Sequence, residues 1–72
     1  MREEVMKRLE AIRLERGMTE QEMADSLHVS LATYVKLQSG KRNIGAKVMR
    51  GISEAYPEVW SAFSSRIVEL AS

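Results

Sequence analysis

Five basic side chains in the middle of the chain are the residues whose type and spacing most clearly suggest a chemistry. Residues 26–53 contain no acidic side chain and five basic ones, which are Lys36, Lys41, Arg42, Lys47 and Arg50. The complete chain has 11 basic and 10 acidic residues, so its net charge of +1 hides this cluster. A segment of one sign is typical of a surface that binds a polyanion, and the alternative is a chance cluster of solvated charges.

The residue types needed for catalysis or metal binding are scarce. The chain has one histidine, His28, and no cysteine, which excludes thiolate nucleophiles and cysteine-based metal sites. It has no glycine-rich phosphate motif, and the pair Ser64 and Ser65 has no candidate base nearby in the sequence. We therefore expect a protein that is not an enzyme and that uses no cofactor and no metal ion.

Length and composition predict one small domain over residues 1–72. A chain of 72 residues without cysteines must gain its stability from packed apolar side chains, helped by self-association. The apolar runs are too short for a membrane span, and the charged start lacks the apolar stretch of a signal peptide. We expect a cytoplasmic protein.

Apolar residues recur at helical spacing and predict an all-α fold of five helices. The first helix is expected over about residues 2–16, ending at Gly17, with Val5, Leu9 and Ile12 on one stripe. Thr19 and Glu22 have the spacing of a capping box, so a second helix should begin at residue 20 and end near residue 26 or 27. Its inward side chains are expected to be Met23, Ala24 and Leu27.

The remaining helices follow from the same signals. Ser30 is a candidate N-cap for a third helix over residues 31–38, which should stop at Ser39 and Gly40. A fourth helix should follow the polar loop, with its apolar stripe at Val48, Met49, Ile52, Ala55 and Tyr56. Pro57 should break that helix. A fifth helix is expected over residues 58–70, with apolar residues at Trp60, Phe63, Ile67 and Leu70.

The segment from Met18 to Arg42 resembles the helix-turn-helix of the phage Cro and repressor family. The family pattern is matched here by Met18, Thr19, Met23–Ala24, Val29–Ser30 and Gly40–Lys41. Looser similarity extends the resemblance to roughly residues 8–56. It implies a lambda repressor-like fold with the helix-turn-helix core at residues 19–38, in which the third helix lies in the major groove of DNA.

The resemblance also implies which side chains contact base edges. These are the exposed residues near the start of the third helix, namely Ser30, Leu31, Ala32, Thr33 and Lys36. Lys36 is the only strong hydrogen-bond donor among them, and it can reach either a guanine or a phosphate. Leu31 and Ala32 offer only apolar contact, which suits a thymine methyl group and not a guanine edge.

A second set of residues is expected to contact the DNA backbone. The resemblance and the charge pattern place Gln21, Lys41, Arg42, Asn43 and Lys47 in this set. The alternative for the basic residues is a solvated loop, and we expect Arg50 to be solvated. Phosphate binding is favoured because the segment has no acidic residues.

Three polar positions depart from the family pattern. His28 stands where glycine is usual, and histidine is one of the side chains that tolerate a positive φ. Glu20 stands where a phosphate-binding glutamine is usual, so it would repel phosphate. Gln38 stands where a glutamate would pair with Arg13, so we expect a neutral hydrogen bond between Gln38 and Arg13.

The resulting hypothesis is a sequence-specific transcriptional regulator, a phage-type or operon-level repressor that binds a palindromic operator as a homodimer. Trp60 and Phe63 are expected to pack on the core, whereas the dimer seam is expected at Ile67, Val68 and Leu70. The alternative is a partner-binding helix-turn-helix module with weak DNA binding, such as an antirepressor or an antitoxin. Glu20, Leu31 and Ala32 keep that alternative open.

Overall fold

The structure is a computed structural model that describes residues 2–62 and is helical wherever it is regular within that range. Four helices are followed by a fifth helical segment, α5, that begins at residue 57 and is described to residue 62. The first four are α1 (Arg2–Glu15), α2 (Glu20–Ser26), α3 (Leu31–Gln38) and α4 (Ala46–Ala55). The predicted all-α, five-helix fold is confirmed.

Local signals account for the helix ends. Gly17 follows α1 with a φ of 64°, and Gly40 follows α3 with a φ of 81°, so both use the left-handed region that favours glycine. The Thr19 side chain accepts the Glu22 backbone N–H, and the Glu22 carboxylate accepts the Thr19 backbone N–H, which completes the capping box. Ser30 caps α3 through its hydroxyl group.

The core is formed by residues from all five helical segments. Met23, Ala24 and Leu27 are fully buried, as predicted for α2. Met6 of α1 is also buried, beside the predicted stripe. The buried set is Val5, Met6, Leu9, Met23, Ala24, Leu27, Tyr34, Leu37, Val48, Ile52, Tyr56 and Val59.

Helix α4 lies against the end of α2 with no space for a side chain between them. A Cβ atom placed on Gly51 would lie 2.5 Å from the backbone oxygen of Leu27, which is closer than real Cβ contacts allow. The hydroxyl oxygens of Ser26, the last residue of α2, and of Tyr56, which directly follows α4, are 2.6 Å apart and share a hydrogen bond. Gly51 therefore sets how closely α4 approaches the helix-turn-helix.

The C-terminal helix begins one residue earlier than predicted. Pro57 occupies its start, where the missing N–H of proline is not needed. Its buried residue is Val59, 2% exposed, whereas the predicted core residue Trp60 is only partly buried, as is common for so large a side chain. Other residues assigned to this helix lie outside the described residues, including Phe63, Ile67, Val68 and Leu70.

Candidate nucleic-acid interface

A tight turn fixes the angle between α2 and α3. His28 has a φ of 60°, the left-handed conformation expected at a position where glycine is usual. The His28 backbone N–H donates to the Asp25 carbonyl at 3.1 Å, and the Val29 N–H donates to the Ala24 carbonyl at 3.0 Å. These bonds satisfy carbonyl groups that would otherwise be unpaired where α2 ends.

Helix α3 has a buried face and an exposed face. Tyr34 and Leu37 are fully buried against the other helices. The opposite face exposes Leu31 and Val35, which are 39% and 44% accessible to solvent. Ala32 and Lys36 are exposed on the same side. This exposed face of α3 is accessible to a binding partner.

The predicted base-contacting residues divide between two sides of α3. Leu31, Ala32 and Lys36 belong to the exposed face, whereas Thr33 is partly buried. The Ser30 hydroxyl donates to the Thr33 hydroxyl oxygen at 2.9 Å and accepts the Thr33 backbone N–H at 3.1 Å. Ser30 and Thr33 therefore line the flank of α3 that faces the following loop.

That flank borders the basic residues expected to bind phosphate. A single surface groove is lined by Ser30, Thr33, Arg42 and Lys47, so two cations and two hydroxyl groups lie together beside the start of α3. The residues of the loop and of the start of α4 that are assigned to phosphate are all exposed, namely Lys41, Arg42, Asn43 and Lys47. The structure thus brings Arg42 and Lys47 next to the start of the candidate recognition helix.

The two-helix geometry, the left-handed turn and the flanking cations agree with a comparison to known families. A family model described as helix-turn-helix matches residues 9–59, more than two thirds of the chain. The chain belongs to the Cro/repressor-type helix-turn-helix family. No similar curated protein and no similar solved structure was found.

The helix-turn-helix family consists of DNA-binding regulatory domains and is not a family of enzymes. Membership therefore makes the chain a DNA-binding transcription regulator in general terms. Within residues 2–62, no three or more His, Cys, Asp and Glu side chains are grouped so that they could hold a metal ion. None of the described helices is long and apolar enough to cross a membrane.

The predicted hydrogen bond between Arg13 and Gln38 is wrong. In this helix-turn-helix protein both side chains donate to Glu10, which lies between them. The Gln38 amide donates to Glu10 Oε2 at 3.1 Å and to the Tyr34 hydroxyl oxygen at 2.8 Å. Arg13 Nε donates to Glu10 Oε1 at 2.9 Å, and Arg13 Nη1 donates to the Met18 carbonyl at 2.8 Å. A carboxylate is a stronger acceptor for arginine than an amide oxygen, so each partner uses one oxygen of Glu10.

Tyr34 completes this network by donating its hydroxyl proton to Glu10 Oε2 at 2.9 Å. The hydrogen bond from Arg13 lowers the pKa of Glu10 below its ordinary value, and burial raises the pKa of Tyr34 to about 12. Glu10 is therefore a charged acceptor at neutral pH, and Tyr34 keeps its proton. The network fastens the buried face of α3 to α1.

The remaining departures from the family pattern are at the surface. Glu20 is exposed at the first position of α2. Gln21, the α2 residue assigned to phosphate, is also exposed, and its amide donates to Asp25 Oδ1 at 2.9 Å. His28 has a side chain 71% exposed, with Nε2 4.0 Å from the Glu54 carboxylate. Glu54 therefore places a carboxylate beside His28 in the turn.

Sequence reasoning missed two residues, one on the exposed face of α3 and one in the network that holds α3 to α1. Val35 lies four positions after Leu31, and this helical spacing places both on one face, which was the available signal. Glu10 had no comparable signal, because an acidic residue on an amphipathic helix is usually solvated. Its role depends on how α1 and α3 pack.

Proposed function

We propose that this chain is a sequence-specific repressor that binds double-stranded DNA with α3 in the major groove. The observation that carries the proposal is the exposed face of α3, which lies within a segment, residues 26–53, that has no acidic side chain. A helix of this kind fits the major groove, and the neighbouring cations suit the phosphates on either side. Repression would follow from occupancy of a promoter.

In the proposed complex, base edges are contacted by the assigned set on α3. Lys36 donates to a guanine or a phosphate, and Leu31 and Ala32 make apolar contacts. Ser30 and Thr33 contact the edge of the groove, since they line the flank nearest the basic residues. Backbone contacts are assigned to Gln21, Lys41, Arg42, Asn43 and Lys47.

We further propose that residues 1–72 act as one domain in the cytoplasm and bind a two-fold operator as a homodimer. A symmetric dimer presents two recognition helices to two half-sites one helical turn of DNA apart. The sequence places apolar residues at helical spacing near the C-terminus, and the seam is assigned to Ile67, Val68 and Leu70. These residues lie outside the described part of the chain.

A second candidate is a module that binds a partner regulator and has weak affinity for DNA. Two observations favour it. Leu31 and Val35 are exposed apolar side chains on α3, and Glu20 places negative charge at the start of α2. A protein partner could cover the apolar pair, as in an antirepressor or an antitoxin.

Selection of genomic DNA fragments by the purified protein, at a low and a high salt concentration, tests the first candidate against the second. A regulator should recover a shared palindromic motif at both salt concentrations. Retention that is sensitive to salt and lacks any motif would contradict sequence-specific repression, and it would favour the partner-binding module.

Salt titration of point variants tests the assigned backbone contacts. Arg42→Ala should weaken binding to every DNA sequence and reduce the salt slope by about 2 for a dimer, at roughly 0.9 per phosphate contact in each subunit. Arg50→Ala removes the same charge from an exposed position on α4 and is the matched control, with a smaller expected effect. Equal slopes for Arg42→Ala and the wild type would place the DNA-binding face elsewhere.

A further inference from the structure

We propose that Leu31 and Val35 together form a contact surface for thymine methyl groups, so the preferred DNA half-site presents thymines side by side in the major groove. This inference rests on the DNA-binding function proposed above. It specifies what the recognition helix detects, and it adds Val35 to the residues that determine specificity.

The two side chains are placed to act as one surface. Leu31 and Val35 are one turn apart on α3, and both are more than one third exposed, whereas Tyr34 and Leu37 on the other face are fully buried. Their positions are separated by about 6 Å along the helix axis, compared with about 3.4 Å between successive base pairs. The pair can therefore reach methyl groups on neighbouring base pairs or on pairs two steps apart.

Polar groups on and beside this face are few or already hydrogen-bonded. The Ser39 hydroxyl donates to the Lys36 carbonyl at 3.2 Å, and the Ser30 hydroxyl is used in the α3 cap. Ala32 adds another apolar group, which leaves Lys36 as the charged donor at the border of the face. Thymine is the base that carries a methyl group in the major groove, so it is the base that an apolar face can distinguish.

The charge around this apolar pair favours DNA over a protein as the occupant. Lys36 lies on the same helix, and Lys41 and Arg42 follow in the next loop, with no acidic residue between positions 26 and 53. Leu14 is the contrasting case, since it is 65% exposed on α1 between Arg13 and Glu15 and has charges of both signs beside it. An apolar pair bordered by cations fits methyl groups on a polyanion.

The test replaces thymine by deoxyuridine, which removes only the methyl group. The probes are duplexes recovered with the wild-type protein from a random DNA library, with each thymine replaced in turn. Affinity should fall about fourfold at each contacted thymine, which is the effect of about 0.8 kcal/mol per buried carbon at 1.4 kcal/mol per tenfold change. Replacing such a thymine by cytosine should weaken binding, and 5-methylcytosine should recover part of the loss.

The loss of affinity caused by replacing a thymine with deoxyuridine is called the uracil penalty. Leu31→Ala and Val35→Ala should each abolish it at some of these positions. Both variants should fold, because both side chains are exposed and alanine favours helix. Leu14→Ala is the matched control and should keep the full penalty. Sequence-specific binding without any uracil penalty would overturn the inference and leave the proposed regulator standing. A penalty that persists in both α3 variants would also overturn it. Absence of specific binding to any duplex would instead contradict the proposed function.

Discussion

At the scale of single residues, Glu10 determines how the recognition helix is held. Its carboxylate accepts hydrogen bonds from Arg13 on α1 and from Tyr34 and Gln38 on α3. Each bond has a charged acceptor in a partly buried position, where hydrogen bonds contribute more than they do in water. Loss of the charge on Glu10 should therefore weaken the contact between the two helices.

Glu10→Gln should lower the free energy of unfolding by about 1–3 kcal/mol at neutral pH. Because the folded-state pKa of Glu10 is lowered, its contribution is present above the unfolded-state value of about 4.3 and is lost as the pH falls through the lower folded-state pKa. Urea unfolding at several pH values should show that the unfolding free energies of the wild type and of Glu10→Gln converge at acid pH. Glu15→Gln, the same change at an exposed position of α1, is the control and should leave the Glu10 network and its contribution to stability in place.

The opposite trend would contradict this account. If the difference in unfolding free energy between wild type and Glu10→Gln grew as the pH fell, Glu10 would not be stabilised in its charged form by the network.

Gly51 is the second residue with a specific structural requirement. Gly51→Ala should destabilise the protein by about 1–3 kcal/mol, the usual cost of overpacking, because the new methyl group would meet the Leu27 backbone at 2.5 Å. Gly45→Ala is the control, since a Cβ atom there has no neighbour within 4 Å and the backbone is extended, so it should show only the smaller cost of placing alanine at the N-cap of α4. Thermal and urea unfolding measure the stability of both variants. A Gly51→Ala protein as stable as the wild type would mean that α4 can shift away from Leu27 without cost.

At the scale of helices, the ends could be predicted because their causes are local. Thr19 and Glu22 cap α2 across three residues, and Ser30 caps α3 in the same way. Gly17 and Gly40 adopt the left-handed backbone that ends a helix. Each signal lies within one turn of the end that it determines, so no knowledge of packing is needed.

Contacts between helices could not be predicted from such signals. The hydrogen bond from Gln38 to Glu10 spans 28 residues, and the approach of Gly51 to Leu27 depends on how α4 crosses α2. Val59 is buried although the apolar stripe predicted for the last helix begins at Trp60 and does not include it. The candidate site is assigned residue by residue through the resemblance, but the division of α3 between an exposed apolar face and a hydroxyl-lined flank required the packed structure.

Helix α2 provides a test of how the protein meets the DNA backbone. Glu20→Gln should tighten DNA binding and make it more salt-sensitive, because the start of α2 is proposed to face phosphate, and a neutral amide can bond where a carboxylate repels. The same change should lower stability by roughly 0.3–1 kcal/mol, since a negative charge favours a helix start. Binding titrations and thermal unfolding measure the two effects separately.

Glu3→Gln is the matched control for this experiment. Glu3 also lies in the first turn of a helix, α1, so its replacement should cost similar stability without improving DNA binding. Weaker DNA binding by Glu20→Gln with the fold intact would show that α2 does not face the backbone as proposed.

At the scale of the whole molecule, the proposed dimer is tested by a charge at its seam. Ile67→Glu should give a folded monomer, because the added carboxylate would be buried without a partner in the interface. Leu14→Glu introduces the same charge at an exposed site on α1 and should leave the dimer intact. Sedimentation measures both. A monomeric wild type, or a dimeric Ile67→Glu protein, would contradict the proposed seam.

The two faces of α3 also have a consequence for how such a protein could evolve. Tyr34, Leu37 and Gln38 hold the helix in place from the inside, where substitutions cost several kcal/mol, whereas the exposed side chains can change at about 0.5 kcal/mol or less. If α3 reads DNA as proposed, mutations on the outer face can therefore alter DNA preference while the protein keeps folding. New specificities would be reached through viable intermediates, one exposed position at a time, along one side of a helix of eight residues.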